Sequence, residues 1–153
     1  MIALIQRTEN ASVEIDGKLF SGTSKGFLIL LGVYVEDTEK EVEMLVSKTA
    51  KLRVFEDENG KMNLSPLQLI ERGGCCEMMV VSQFTLCAEC KGQNRPSFIK
   101  AARPETAIPL YEKFVSSLKD LGFVVKTGEF GADMKVSLLN DGPVTIILDT
   151  QKL

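Results

Sequence analysis

The run at residues 27–35 constrains this chain more than any other stretch. It is almost wholly apolar, broken only by Gly32 and Tyr34, and a strand of that composition needs cover on both of its faces. The chain must therefore build a sheet around this segment and supply a layer for each side. Neighbouring strands are legible nearby. Residues 2–6 read as a first strand, residues 12–15 alternate, and Asp16-Gly17 is the dipeptide best suited to a tight hairpin, with residues 18–20 returning.

Two long helices can provide the cover. Thr38 with Glu41 three residues later is a capping box, and Val42, Leu45, Val46, Thr49 and Ala50 then recur on one face. Ala107, Leu110, Tyr111, Phe114, Val115, Leu118 and Leu121 form a second amphipathic series, closed by Gly122, in which Pro109 is tolerable only within the first turn. Ser65, Pro66 and Gln68 open a short third helix that Gly73 and Gly74 stop. Residues 53–55 read as a short strand ending in a turn at residues 57–60. Residues 123–126 and 134–139 are two further strands; a turn at Asn140, Asp141, Gly142 and Pro143 leads into a last strand at 144–148.

This pattern predicts one domain over residues 1–153 of mixed α/β class: largely antiparallel sheets forming a partly closed barrel flanked by two main helices. Doubly wound nucleotide folds alternate strand and helix strictly, and this chain does not. Neither familiar glycine-rich phosphate loop is present.

The composition narrows the chemistry. The chain has no histidine, which removes the usual general base near neutral pH and the commonest metal ligand. A Ser/His/Asp triad, a Cys/His dyad and a His-ligated zinc are all excluded within it. Four cysteines, an adjacent pair at 75–76 and a lone CxxC at 87–90, are neither a disulfide framework nor a zinc ligand set, so no metal and no cofactor is expected. Residues 1–6 lack the features of a secretory signal, and no apolar segment is long enough to span a membrane, so the expected location is cytoplasmic. The formal net charge of −3 argues against broad phosphate neutralisation and against a DNA partner. Locally, Lys91, Arg95, Lys100 and Arg103 fall in a stretch without acids. Such a patch suits a short length of phosphate backbone, and equally a solvated loop.

Residues 79–86 are the candidate site. An apolar approach ends in Ser82, Gln83 and Thr85 interleaved with Phe84 and Leu86. If the strand stays regular, Ser82, Phe84 and Leu86 share one face, with Gln83 and Thr85 on the other. Composition turns to loop immediately afterwards, and rigid strand ends that hand over to loops are where binding residues concentrate. Structural strand residues would look much the same.

Residues 82–86, SQFTL, and 140–145, NDGPVT, together resemble the two signature motifs of the D-aminoacyl-tRNA deacylase family. The likeness runs through the whole chain: Ile5, Gln6 and Arg7, then Arg53, Val54 and Phe55, GKMNLS at 60–65, RPSF at 95–98 and GADMKVS at 131–137. The resemblance implies the deacylase-type fold and a homodimeric esterase. Its reaction would cleave the bond joining a D-amino acid, or mischarged glycine, to the 3′-terminal adenosine of tRNA. It further implies a cis Gly142-Pro143 turn that enters the partner subunit's pocket and excludes L-amino acids. Ser82, Gln83, Phe84 and Thr85 would line the site, Phe130 and Met134 would hold the terminal adenine, and Lys91, Arg95, Lys100 and Arg103 would meet acceptor-end phosphates. The family pattern favours assistance by the substrate's ribose 2′-hydroxyl over Thr85 as a covalent nucleophile. Backbone N–H groups near Gln83, Phe84 and Thr85 are candidate oxyanion donors. A related animal deacylase whose first motif resembles PQATL is disfavoured by Ser82 and Phe84. A catalytically silent tRNA-binding dimer module and a dimerisation domain are the competing classes.

Overall fold

The computed structural model describes residues Met1–Leu153. In chain order the elements are β1 (Ile2–Ile15), β2 (Lys18–Thr23), β3 (Gly26–Gly32), α1 (Glu39–Ala50), β4 (Phe55–Glu56), β5 (Met62–Leu64), α2 (Pro66–Glu71), β6 (Glu77–Ser82), a 3-10 turn (Phe84–Cys87), α3 (Pro104–Asp120), β7 (Val124–Thr127) and β8 (Met134–Asp149). The apolar run supplies β3, which sits mid-sheet in the order β2-β1-β3-β6-β7. β1 lies antiparallel on one side of it and β6 parallel on the other. β7 continues the parallel side, and β4 with β5 forms a separate small hairpin. Ser21 Oγ on β2 donates to the Thr127 carbonyl on β7, 2.7 Å away, drawing the two ends together into a nearly closed barrel.

Strict alternation along β3 and β6 explains why both strands are apolar throughout. Phe27, Ile29, Leu31, Met78 and Val80 join the main core beneath α1 and α3, against Val42, Leu45, Phe114 and Leu118. Leu28, Met79 and Val81 point the other way, into a second cluster with Ala11 and Val13 inside the barrel. Each such side chain contributes about 1.5–3 kcal/mol of burial before conformational entropy is counted. The helix starts follow their capping residues. Glu41 Oε2 accepts from the Thr38 N–H at 2.8 Å, and Gln68 Oε1 from the Ser65 N–H at 3.0 Å, closing two reciprocal capping boxes.

Several expectations are corrected. Residues 2–6 and 12–15 are one strand, because β8 templates β1 along its whole length. Asp16 and Gly17 make the expected tight turn, both with positive φ. Residues 134–139 and 144–148 are likewise one strand, and the turn between them reverses nothing. Gln6 faces Thr145 while Thr8 faces Asn140, so residues 141–144 leave the ladder as an excursion and rejoin the same partner. The strand expected at 53–55 lies at Phe55–Glu56, because the Val54 N–H donates back to the Leu52 carbonyl at 3.1 Å and the Val54 carbonyl accepts from Arg7, leaving neither for a ladder. Pro109 lies beyond the first turn of a helix that starts at Pro104. The hydrogen bond it forgoes would reach Glu105, and both residues are exposed, so the loss falls on the solvated face.

Candidate active site

The parallel strands β3 and β6 end together, and a cavity of about 600 Å³ opens beyond them. Ligands gather at the carboxyl ends of parallel strands because the backbone there leaves the ladder and neighbouring loops diverge. Leu31 and Val33 form its floor with Val81 and Ser82; the start of α3 and residues 130–136 form its walls.

The strand does not stay regular past Ser82, so the expected two-face division of residues 82–86 does not occur. β3 ends at Gly32, and the Gln83 N–H takes the last carbonyl on offer, that of Leu31, at 2.8 Å. With no ladder left to join, the chain tightens into the 3-10 turn. Gly32 permits that approach: a Cβ there would lie 3.1 Å from the Gln83 carbonyl oxygen and 3.0 Å from Ile2. The turn leaves the N–H groups of Phe84 and Thr85 without a protein acceptor. Of the three donors expected, Gln83 is thus committed to the sheet and the next two are free.

Ser82, Gln83, Phe84, Phe130, Met134 and Arg103 all line the cavity. Thr85 does not; its hydroxyl accepts from Gln83 Nε2 beside the rim. Aromatic pairs flank the opening. Phe84 meets Phe98 edge-on at 5.0 Å, and Phe130 meets Tyr111 at 6.0 Å. The Tyr111 hydroxyl donates to the Val80 carbonyl at 2.8 Å, and burial raises its pKa far above the ordinary tyrosine value. It is therefore no base at neutral pH. Asp133 is the sole carboxylate in the lining, exposed and held by Lys135 at 2.9 Å. No group of three or more Cys, Asp or Glu side chains is gathered as a metal site.

The expected cation patch is spread out. Arg103 reaches the cavity as the N-cap of α3, while Lys100 pairs with Glu89 at 3.0 Å, an acid just outside the stretch that lacks them. Glu89 and Ser97 bridge reciprocally at 2.9 Å, leaving Lys91 and Arg95 exposed on the loop between them without ion pairs.

Gly142 and Pro143 are outside this cavity. Their peptide bond is cis, and both residues are exposed on the β8 excursion. The excursion is firmly held from beneath. Arg7, 6% exposed, places Nε 3.0 Å from Asp141 Oδ2, donates Nη1 to the Val54 carbonyl and lies over the Phe55 ring. Asn140 Oδ1 accepts from the Val144 N–H and its Nδ2 donates to Thr145 Oγ1, both at 3.0 Å.

Sequence reading missed Val33, Ala101, Ala102, Tyr111 and Asp133 as lining residues. Tyr111 carries a helical core signal. The small Ala101-Ala102 pair between two cations was the available hint of an open wall.

A protein described as a probable eukaryotic D-amino acid tRNA deacylase shares this fold with a TM-score of 0.80 at 14% identity, covering 96% of this chain and 97% of its own. A second, described as c-Myc DNA Unwinding Element Binding Protein, aligns with a TM-score of 0.87 at 41% identity over 98% of this chain and 99% of that one. The family model described as D-Tyr-tRNA(Tyr) deacylase matches residues 4–149, and the chain belongs to that family of ester hydrolases. Relatives named D-aminoacyl-tRNA deacylase include one from Desulfatibacillum aliphaticivorans, 54% identical over 99% of this chain and all of its own. Another, from Thermosipho africanus, is 48% identical over 100% of this chain and 99% of its own.

Proposed function

We propose that this chain hydrolyses the ester joining a D-amino acid, or mischarged glycine, to the 3′-terminal adenosine of tRNA. The observation that carries the chemistry is the pair of free N–H groups at Phe84 and Thr85, beside a cavity that has no histidine and whose one carboxylate, Asp133, is exposed and paired with Lys135. An ester carbonyl develops negative charge as water adds, and fixed backbone donors stabilise that charge without reorganising. Proton removal then falls to the substrate, whose ribose 2′-hydroxyl adjoins the scissile ester. Thr85, already bonded to the Gln83 amide and lacking a basic neighbour, is poorly placed as a nucleophile. Phe130 and Met134 offer an aromatic and a thioether surface to the adenine. Arg103, Lys100, Lys91 and Arg95 serve the phosphates that follow.

The working unit in this reading is a homodimer. The cis Gly142-Pro143 excursion of one subunit enters the cavity of its partner and crowds the side of the α-carbon where an L side chain would project. Its exposure, and its firm attachment to Arg7 underneath, support that role. Discrimination then comes from excluding the wrong enantiomer rather than from extra affinity for the right one.

Single-turnover hydrolysis of D-tyrosyl-, L-tyrosyl- and glycyl-tRNA tests the reading. Release from the D and glycyl substrates alone is expected. If tRNA binds and all three esters survive, the chain is a binding module.

A further inference from the structure

Gly128 sits in the half-buried connection between β7 and the cavity wall. Its backbone is not among those with positive φ, so conformation does not require glycine there. Space does. A Cβ at this position would lie 2.3 Å from Met134 Sδ, 3.6 Å from its methyl carbon and 3.8 Å from Val13 Cγ1. The thioether therefore rests directly against the bare face of Gly128.

Gly128 has no room to retreat, and Met134 is free to move only on its cavity side. The Gly128 N–H donates to the Val80 carbonyl at 3.3 Å, and the preceding carbonyl, that of Thr127, accepts from Ser21. These bonds fix the segment to β6 and β2 across the barrel seam. Met134 itself packs on the inner-barrel cluster of Ala11, Val13, Leu28, Met79 and Val81, and its open side is the cavity. A methyl group on residue 128 would drive the thioether into the cavity.

We infer that Gly128 is a positioning residue that sets the depth of the adenosine pocket by seating Met134 against the barrel wall. The inference rests on the reading of Met134 as an adenosine contact. It concerns binding rather than chemistry, so it predicts a separation of the two in kinetics.

The test is single-turnover hydrolysis of D-tyrosyl-tRNA across a range of enzyme concentrations, with G128A, M134A and the double variant. G128A should raise the half-saturating concentration about tenfold and leave the saturating rate within about threefold. M134A should also weaken binding, and adding G128A to it should cost nothing further, because the atom it displaces is gone. Wild-type half-saturation in G128A, or fully additive losses in the double variant, would overturn the inference. If M134A alone binds normally, the adenosine reading fails instead, and the inference falls with it. Thermal melts cover a folding defect: if G128A melts early, the double variant should melt with M134A. An equally unstable double variant would show that the backbone, not Met134, demands glycine.

Discussion

Residues 82–85 and residues 140–143 both interrupt a strand with polar and turn-forming side chains, and they end in opposite ways. At the first, the strand stops. Its partner β3 has run out at Gly32, so the chain coils into a 3-10 turn and leaves two N–H groups free beside a cavity. At the second, the strand continues. β1 offers a template on both sides of the break, so the polar residues are pushed out as an excursion and clamped from below by Arg7. Local composition sets where a strand is broken, whereas the length of its partner decides whether it ends. The two breaks also differ in what they expose: one leaves donors beside a cavity, the other an exposed peptide bond away from it.

The largest predicted effect breaks the second region. Arg7→Ala removes a buried guanidinium and strands Asp141, and should cost about 3 kcal/mol of stability, read as a lower denaturant midpoint at unchanged m. Pro143→Ala leaves the first region intact and should lower discrimination between D- and L-tyrosyl-tRNA at least about tenfold. Unchanged chirality would separate the excursion from function. Thr85→Ala sharpens the account of the first region: hydrolysis should fall less than about tenfold, where loss of a covalent nucleophile would cost orders of magnitude more. Removing Lys91 or Arg95 should flatten the salt dependence of tRNA binding by about one phosphate each while sparing the saturating rate.

The last effect appears only in alkali. Burial, reinforced by Asp37, raises the Cys87 thiol from 9.0 to about 11, and burial with Cys75 nearby raises Cys76 to about 12. Both are protonated in the fold and would ionise more readily in the unfolded chain. Their contribution to stability is therefore complete below pH 9 and lost as pH climbs through their folded values. Melts between pH 8 and 11 should show the decline, and exposed Cys75 and Cys90 should react with a thiol reagent at pH 8 well before the buried pair.

Elements that depend on nearby residues were legible in the sequence. The capping boxes at Thr38 and Ser65, the Asp16-Gly17 hairpin and the two-faced strand, read at 27–35 and found at Gly26–Gly32, all carry their cause within a few positions. What could not be read depends on distant partners: the merging of 134–149 into one strand, the stop at Ser82, and the capture of Lys100 by Glu89. The site was read in the same divided way. Ser82, Gln83, Phe84, Phe130, Met134 and Arg103 do converge on one cavity. Thr85 stands at its rim, and Lys91, Arg95, Lys100, Gly142 and Pro143 lie outside it. Convergence across strand ends is set by topology, which no local motif states.

The central claim is that each working site joins the cavity of one subunit to the Gly142-Pro143 excursion of the other. Ala132 lines the cavity, so Ala132→Trp should fill it and abolish turnover while leaving the excursion whole. The decisive measurement exchanges subunits between P143A protein and excess A132W protein, then follows hydrolysis of L-tyrosyl-tRNA. Every open cavity would then face a normal excursion from an A132W partner. L-directed activity should disappear while D-directed activity remains. If P143A subunits keep hydrolysing the L substrate whatever their partner, chirality is enforced within one chain and the divided site is wrong.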